Sequence, residues 1–151
     1  MSSAKKIVLL SSDGEKFEVD EAVARQAQVL KNMIEDGCAD DVIPLPVAKA
    51  KTLALVFQYC KKHVEDKDAK EELDSFDAEF MKIDTTTLYH LITTANYLEV
   101  KGLMELCCQT VANSIKGKSV EAMREMFHIR NSDFTPEEEE EIRNTNPWAF
   151  D

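Results

Sequence analysis

The sequence is poor in the residues that build small-molecule sites. Four glycines in 151 residues leave no loop to cradle a phosphate, and GxGxxG, P-loop and GxSxG patterns are all missing. Basic residues are scarce, with 18 Lys and Arg against 29 Asp and Glu, a net charge of −11. That balance argues against nucleic acid as a partner, because duplex affinity comes mainly from cations that neutralise phosphates. It argues equally against an anionic membrane surface. The densest basic stretch, Lys61-Lys62-His63, runs straight into Glu65-Asp66. No run of ~18 apolar residues could span a bilayer. Near the N-terminus, two lysines precede only Ile7 to Leu10, short of the ~7–15 apolar residues of a secretory signal, so this segment reads as a first strand.

The four cysteines, Cys38, Cys60, Cys107 and Cys108, form neither a CxxC nor a Cys/His ligand spacing. The expectation is a reduced, intracellular chain whose thiols act as small hydrophobes. His63, His90 and His128 lie on three different elements with no i, i+4 partner, so they read as surface or half-buried residues, not metal ligands. Carboxylates are abundant, but without a pocket none can be paired as acid and base. Neither an enzyme, a cofactor nor a metal is expected.

What is present is a globular composition, 44% hydrophobic, long enough to form a core without disulfide or metal staples. Residues 6–19 read as a hairpin: Ile7/Leu9 and Phe17/Val19 alternate around Asp13-Gly14, a strong turn signal. Asp20 is placed to cap a helix over about 21–35, with Val23, Ala27, Leu30 and Ile34 on one face and Gly37 at its left-handed end. Val42 to Pro46 reads as a brief edge strand. A helix over 48–62 gives way at 64–75 to a charged stretch that is either a solvated linker or a frayed helix end. Phe76, Phe80 and Met81 then form a short apolar piece. Asp84 caps a helix over about 85–98, a break follows at Val100-Lys101-Gly102, and another helix covers 103–115 up to Gly117. A weak helix is expected from Ser119 to Phe127 and a last one from Pro136 to about Asn144. Few strands followed by helices, with no βαβ alternation, give an α+β fold.

The tail holds two anomalies. Residues 133–151 carry seven acids against Arg143 alone, more than half of the net charge of −11. Thr135, Pro136 and Glu138 make this run a capped helix start, and the acids suit the helix dipole while also offering a patch to a basic partner. Against that polarity stand Phe127, Ile129, Phe134, Ile142, Trp148 and Phe150. They either pack on themselves or wait for a partner, since Trp and Phe are favoured interface anchors.

Taken in order, several blocks give the chain a family resemblance from end to end. They are Lys6-Ile7-Val8-Leu9 with Ser11-Ser12-Asp13-Gly14-Glu15; Pro44-Leu45-Pro46; Asp77-Ala78-Glu79-Phe80-Met81; Ala95-Asn96-Tyr97-Leu98; Cys108-Gln109-Thr110-Val111-Ala112-Asn113; Ile115-Lys116-Gly117-Lys118; Asp133-Phe134-Thr135-Pro136 with Glu137 to Glu140; and a plant-like Trp148-Ala149-Phe150. The chain resembles the Skp-type adaptor family, the linker subunit of SCF (cullin–RING) ubiquitin ligases. The resemblance implies a BTB/POZ-like cullin-binding domain over 1–115, with a small sheet and helices, followed by a helical F-box-binding extension of two helices over 116–151. It implies a non-catalytic adaptor that links an F-box substrate receptor to a cullin, found in the nucleus and cytoplasm. The alternative is a POZ-fold homo-oligomeric scaffold or an elongin-type adaptor, against which residues 116–151 argue.

Carried over residue by residue, the resemblance gives Asn96 and Tyr97 a cullin-binding role, with local packing of a helix end as the alternative. Ile92, Met104, Cys108, Val111, Phe127, Ile129 and Trp148 fall to the F-box side, some of them doubling as core. Leu106 and Cys107 are left to the core. Three departures stand out: Gly117-Lys118-Ser119-Val120-Glu121-Ala122 replaces a proline-bearing helix start, Ser132 reads as an insertion, and Pro147 interrupts any helix before Trp148. An exposed F-box groove is an apolar patch, so a weak homodimer through the C-terminal half is expected of the free chain. Residues 116–151 are expected to be mobile until an F-box binds.

Overall fold

A computed structural model describes residues 5–130 and 133–150. The chain divides after Lys116 into two compact units. Ser132 lies outside the described residues.

The first unit opens with the hairpin. β1 (Lys6–Ser11) and β2 (Lys16–Asp20) pair antiparallel, with Ile7 opposite Val19 and Leu9 opposite Phe17. Gly14 takes φ +85° in the turn, a conformation that costs glycine little. β3 (Ile43–Leu45) joins the other side of β1 in parallel, giving the order β2-β1-β3. Ile7, Leu9, Ile43 and Leu45 turn inward and are buried.

The expected helix over 21–35 is two. α1 (Glu21–Ala24) ends, the chain turns at Ala27 with extended backbone, and α2 (Gln28–Glu35) begins. The break has a tertiary cause: the Gln28 N–H donates to the Glu99 carbonyl across the unit at 3.2 Å. Asp20 precedes α1 but its side chain caps nothing; it pairs with Lys6 at 2.6 Å. Gly37 closes α2 at φ +71°, with the Cys38 N–H donating to the Met33 carbonyl, as a left-handed helix end requires.

α3 (Ala50–Glu65) is the central helix and buries Leu53, Val56, Phe57, Tyr59 and Cys60. Its own N-cap residue, Lys49, makes no side-chain bond; the Ala50 N–H donates instead to Asp13 of the hairpin turn at 2.9 Å. In the charged stretch 64–75, residues 64–65 end α3 and residues 70–75 begin α4 (Lys70–Phe80), so only 66–69 connect the two helices. Phe76 stacks on Phe80, Phe80 lies 6.0 Å from Tyr59, and His63 of α3 meets Asp77 of α4 at 2.8 Å. One apolar edge thus holds a helix whose sequence is otherwise polar.

α5 (Thr85–Leu98) is capped by Asp84, which accepts from the Thr87 N–H. α6 (Lys101–Ile115) packs against it. The break between them lies at Glu99 and Val100, not at Gly102. Glu99 adopts φ +54° and the chain turns there, while Gly102 is already helical. Its role is steric: a Cβ on Gly102 would stand 2.7 Å from the Tyr59 hydroxyl.

The second unit contains α7 (Val120–Met126), α8 (Pro136–Thr145) and a 3-10 turn at Pro147–Ala149. Ser119 caps α7 through the Ala122 N–H. Thr135 and Glu138 form the full capping box of α8, with Pro136 in its first turn. α8 ends before Pro147, as a proline there demands.

Candidate functional site

The residues singled out above lie on α5 and α6 of the first unit and in the second unit, and the two units present them differently. On α5, Leu88, Leu91, Ile92, Ala95 and Leu98 turn toward or into the core. This rotation leaves Asn96 and Tyr97 exposed in the last turn, Tyr97 at 38%. The same face of the helix exposes Tyr89 at 68%. It lies seven residues before Asn96, on the same stripe. Sequence reasoning passes over Tyr89. The available signal is an aromatic residue off the apolar stripe of an otherwise well-patterned helix.

The residues assigned to the F-box side fall in both units. Ile92 on α5 and Met104 on α6 are half-buried and pack against the core. Cys108 is exposed and Val111 half-buried. Met104, Cys108 and Val111 follow i, i+4, i+7 and so form a stripe along α6. Leu103 and Cys107, one position earlier in the helix, are fully buried. Burial pushes the Cys107 thiol up to about 12 and likewise that of Cys60 on α3, so both remain protonated and inert. Leu106 is half-buried against the core.

In the second unit Phe127 is half-buried, Ile129 is 57% exposed and Trp148 is 77% exposed. His128 stands between the first two at φ +54°, with the Ile129 N–H donating to the Arg124 carbonyl at 2.8 Å. That left-handed residue ends α7 and turns Ile129 outward. Phe134, Ile142 and Phe150 line a groove with Arg124, Glu139 and Arg143. The Arg143 guanidinium lies 4.7 Å from the Phe150 ring centre, a cation–π contact. The second unit thus offers exposed apolar side chains, with Arg124, Glu139 and Arg143 beside Phe134, Ile142 and Phe150.

Among the described residues neither unit brings a nucleophile, a base and a proton donor together at these positions. The most promising titratable cluster is His63 with Tyr59 and Asp77, and its chemistry is committed to holding α4. The His63 ring lies on Tyr59 with centroids 4.1 Å apart, and its Nε2 meets Asp77. Among the described residues no group of three or more His, Cys, Asp or Glu could hold a metal ion. No helix among them is long and apolar enough to cross a membrane.

Comparison with known proteins decides the lineage. Residues 5–65 match the tetramerisation domain of the Skp1 family, and residues 101–149 match its dimerisation domain. SKP1-like protein 1A of Arabidopsis thaliana is 54% identical over 160 residues, covering 99% of each chain. The chain belongs to the Skp1 family. SKP1-like protein 1 of Oryza sativa subsp. japonica is 50% identical, over 97% of this chain and 96% of its own length. SKP1-like protein 4 of Arabidopsis thaliana is 51% identical over the whole of both chains.

The two matched stretches span the sheet with α1–α3 and α6 to the 3-10 turn. Met104, Cys108, Val111, Phe127, Ile129 and Trp148 all fall within the second matched stretch. Ile92, Asn96 and Tyr97 lie between the two matched stretches, on a helix whose cap and core stripe the structure fixes. A scaffold or elongin-type module is disfavoured, because the match continues through the acidic, Trp-bearing tail that such a module would not need.

Proposed function

We propose that this Skp1-family chain is the adaptor of an SCF-type ubiquitin ligase, joining an F-box substrate receptor to a cullin scaffold. The observation that carries this reading is the family match along the whole chain, with both family domains present in order. The adaptor performs no chemistry. It works by holding two partners at fixed surfaces, and substrate ubiquitination and degradation follow from the proximity it creates.

Asn96 and Tyr97 are our candidates for the cullin contact, because they are exposed on a helix that the core holds rigidly. Tyr89 extends that stripe. Trp148, Ile129 and Phe127, with the α6 stripe of Met104, Cys108 and Val111 and with Ile92 on α5, are our candidates for the F-box side. Exposed Trp and Phe lose little conformational entropy on docking and bury much apolar area. Left without an F-box, these apolar side chains support a weak homodimer through the C-terminal half, which an F-box peptide dissociates.

Pull-down of a cullin N-terminal fragment and of an F-box peptide by the full chain tests the reading. Asn96→Lys with Tyr97→Lys should abolish cullin capture and leave F-box binding intact. Trp148→Ala should weaken the F-box complex by roughly thirtyfold, a hot-spot loss of about 2 kcal/mol, and leave cullin capture intact. Failure of the wild-type chain to capture either partner overturns the adaptor reading. Unchanged affinities in folded variants overturn the residue assignments alone.

A further inference from the structure

The three-stranded sheet has two open edges, and they are not equivalent. β3 carries Pro44 at its centre, a residue that blunts an edge because it has no N–H to offer. β2 carries Lys16, Phe17, Glu18, Val19 and Asp20 with no proline. The pairing register fixes which of its backbone groups are free. The Ser11 N–H donates to Glu15 and the Glu21 N–H donates to Lys5, bracketing the ladder at its two ends. Bonded pairs alternate along an antiparallel ladder. Phe17, opposite Leu9, and Val19, opposite Ile7, therefore turn their N–H and C=O groups toward β1. Lys16, Glu18 and Asp20 turn theirs outward.

We propose that this edge is an interface for a second copy of the chain, paired antiparallel about Glu18. In that register every outward group finds a partner: Lys16 exchanges two backbone bonds with Asp20 of the other copy, Glu18 with its own equivalent, and Asp20 with Lys16. The strand is close to a charge palindrome, so the side chains match as well. Each Lys16 ammonium meets an Asp20 carboxylate, which Lys6 already approaches at 2.6 Å from the other side. Phe17 faces Val19 on the opposite side of the sheet. There a groove runs along the edge, where Phe17, Val19, Val23, Ala54 and Phe57 are bordered by Lys6, Glu18, Asp20, Gln58 and Lys61, and in the pair it meets the same groove of the second copy. One contact opposes the pairing: Glu18 faces Glu18, and like charges directly opposite are unfavourable. The edge is thus self-complementary everywhere except at its centre, where a single carboxylate keeps association weak. The stretch carrying β2, residues 5–65, is the one matched to a family domain described by tetramerisation.

The test is sedimentation equilibrium of the full chain saturated with an F-box peptide, so that association through the C-terminal half does not contribute. The wild-type chain should show a weak dimer at high concentration. Glu18→Gln removes the opposed charges and should tighten it by about two- to fivefold, the effect of one cross-strand charge pair. Glu18→Pro removes only an outward N–H, leaves the β1 ladder whole, and should abolish the dimer. Lys16→Glu, an exposed change that leaves the fold intact, should abolish it too by setting a second carboxylate against Asp20 of the other copy. Slowed hydrogen exchange of the Glu18 amide at high concentration should accompany the dimer and disappear in Lys16→Glu. A strict monomer in both the wild-type and Glu18→Gln chains overturns the proposal. So does a dimer that survives Glu18→Pro and Lys16→Glu, or one that Glu18→Gln weakens.

Discussion

Among the described residues, every buried side chain lies between Ile7 and Cys107. From Val120 to Ala149 two helices and a 3-10 turn bury none. The first unit is held by burial: the sheet, α1, α3, α5 and α6 share one apolar cluster. The second is held by local devices, namely the Ser119 cap, the left-handed His128, the Thr135–Glu138 box and the Arg143–Phe150 contact. Each local device is worth about 0.3–1.5 kcal/mol, whereas isolated helices below ~12–15 residues are marginal in water. α7 has 7 residues and α8 has 10. A unit built this way keeps its large apolar side chains available, and an adaptor needs that. The first unit is a platform held by its own core, and the second presents its large apolar side chains at the surface.

The first unit is most sensitive at its core. Leu53 is fully buried on α3, and Leu53→Ala should cost about 2–5 kcal/mol through lost burial and a residual cavity. Phe134 is 57% exposed, and Phe134→Ala should change the same urea-unfolding free energy by no more than ~0.5 kcal/mol. Equal losses in the two variants would show that the second unit is held by burial after all.

A smaller effect is expected in the second unit. Thr135→Ala removes an N-cap oxygen and one arm of the capping box, and should weaken α8 by about 1 kcal/mol. Faster hydrogen exchange at the Glu138 and Glu139 amides should report it, with the amides of α3 unaffected. Unchanged exchange in α8 would mean that the cap does not hold the helix.

What the sequence reveals and what it conceals divide along the same physical line. The hairpin turn at Asp13-Gly14, the Asp84 cap, the Thr135 box and the Gly37 terminus depend on residues a few positions apart, and all four are legible. The break at Ala27 is not, because it answers a carbonyl at Glu99. Nor is α4, since its first turns are as charged as a linker and its anchorage comes from Tyr59 and His63 on another helix. Asp20 has the right chemistry for a cap, but Lys6, opposite it across the hairpin, wins its carboxylate. For the site, the exposure of Asn96 and Tyr97 follows from the apolar stripe of α5, which turns them outward. Their roles come from resemblance, since nothing in a helix end names its partner. Tyr89 escapes notice because a lone exposed aromatic carries no periodic signal.

The smallest effect concerns a cap that reaches across the first unit. Asp13 accepts from the Ala50 N–H, so the turn of the hairpin caps the central helix. The Ser11 hydroxyl and that N–H hold the Asp13 carboxyl below its ordinary value of 3.8. A group whose folded value is depressed contributes stability above its unfolded value and loses it as the pH falls through the folded value. The contribution of Asp13 should therefore be complete above pH ~4 and should fade below it. Asn at this position keeps an acceptor for Ala50 but cannot ionise. The gap in stability between the wild-type chain and Asp13→Asn, measured by urea unfolding, should be constant from pH ~7 to about pH 5 and should shrink as the pH falls below ~4. Because the carboxyl is solvent-exposed, the gap should also shrink in about 1 M salt. A gap that widened as the pH fell would mean that Asp13 is better accommodated protonated, and α3 would then owe nothing to a charged cap from the hairpin.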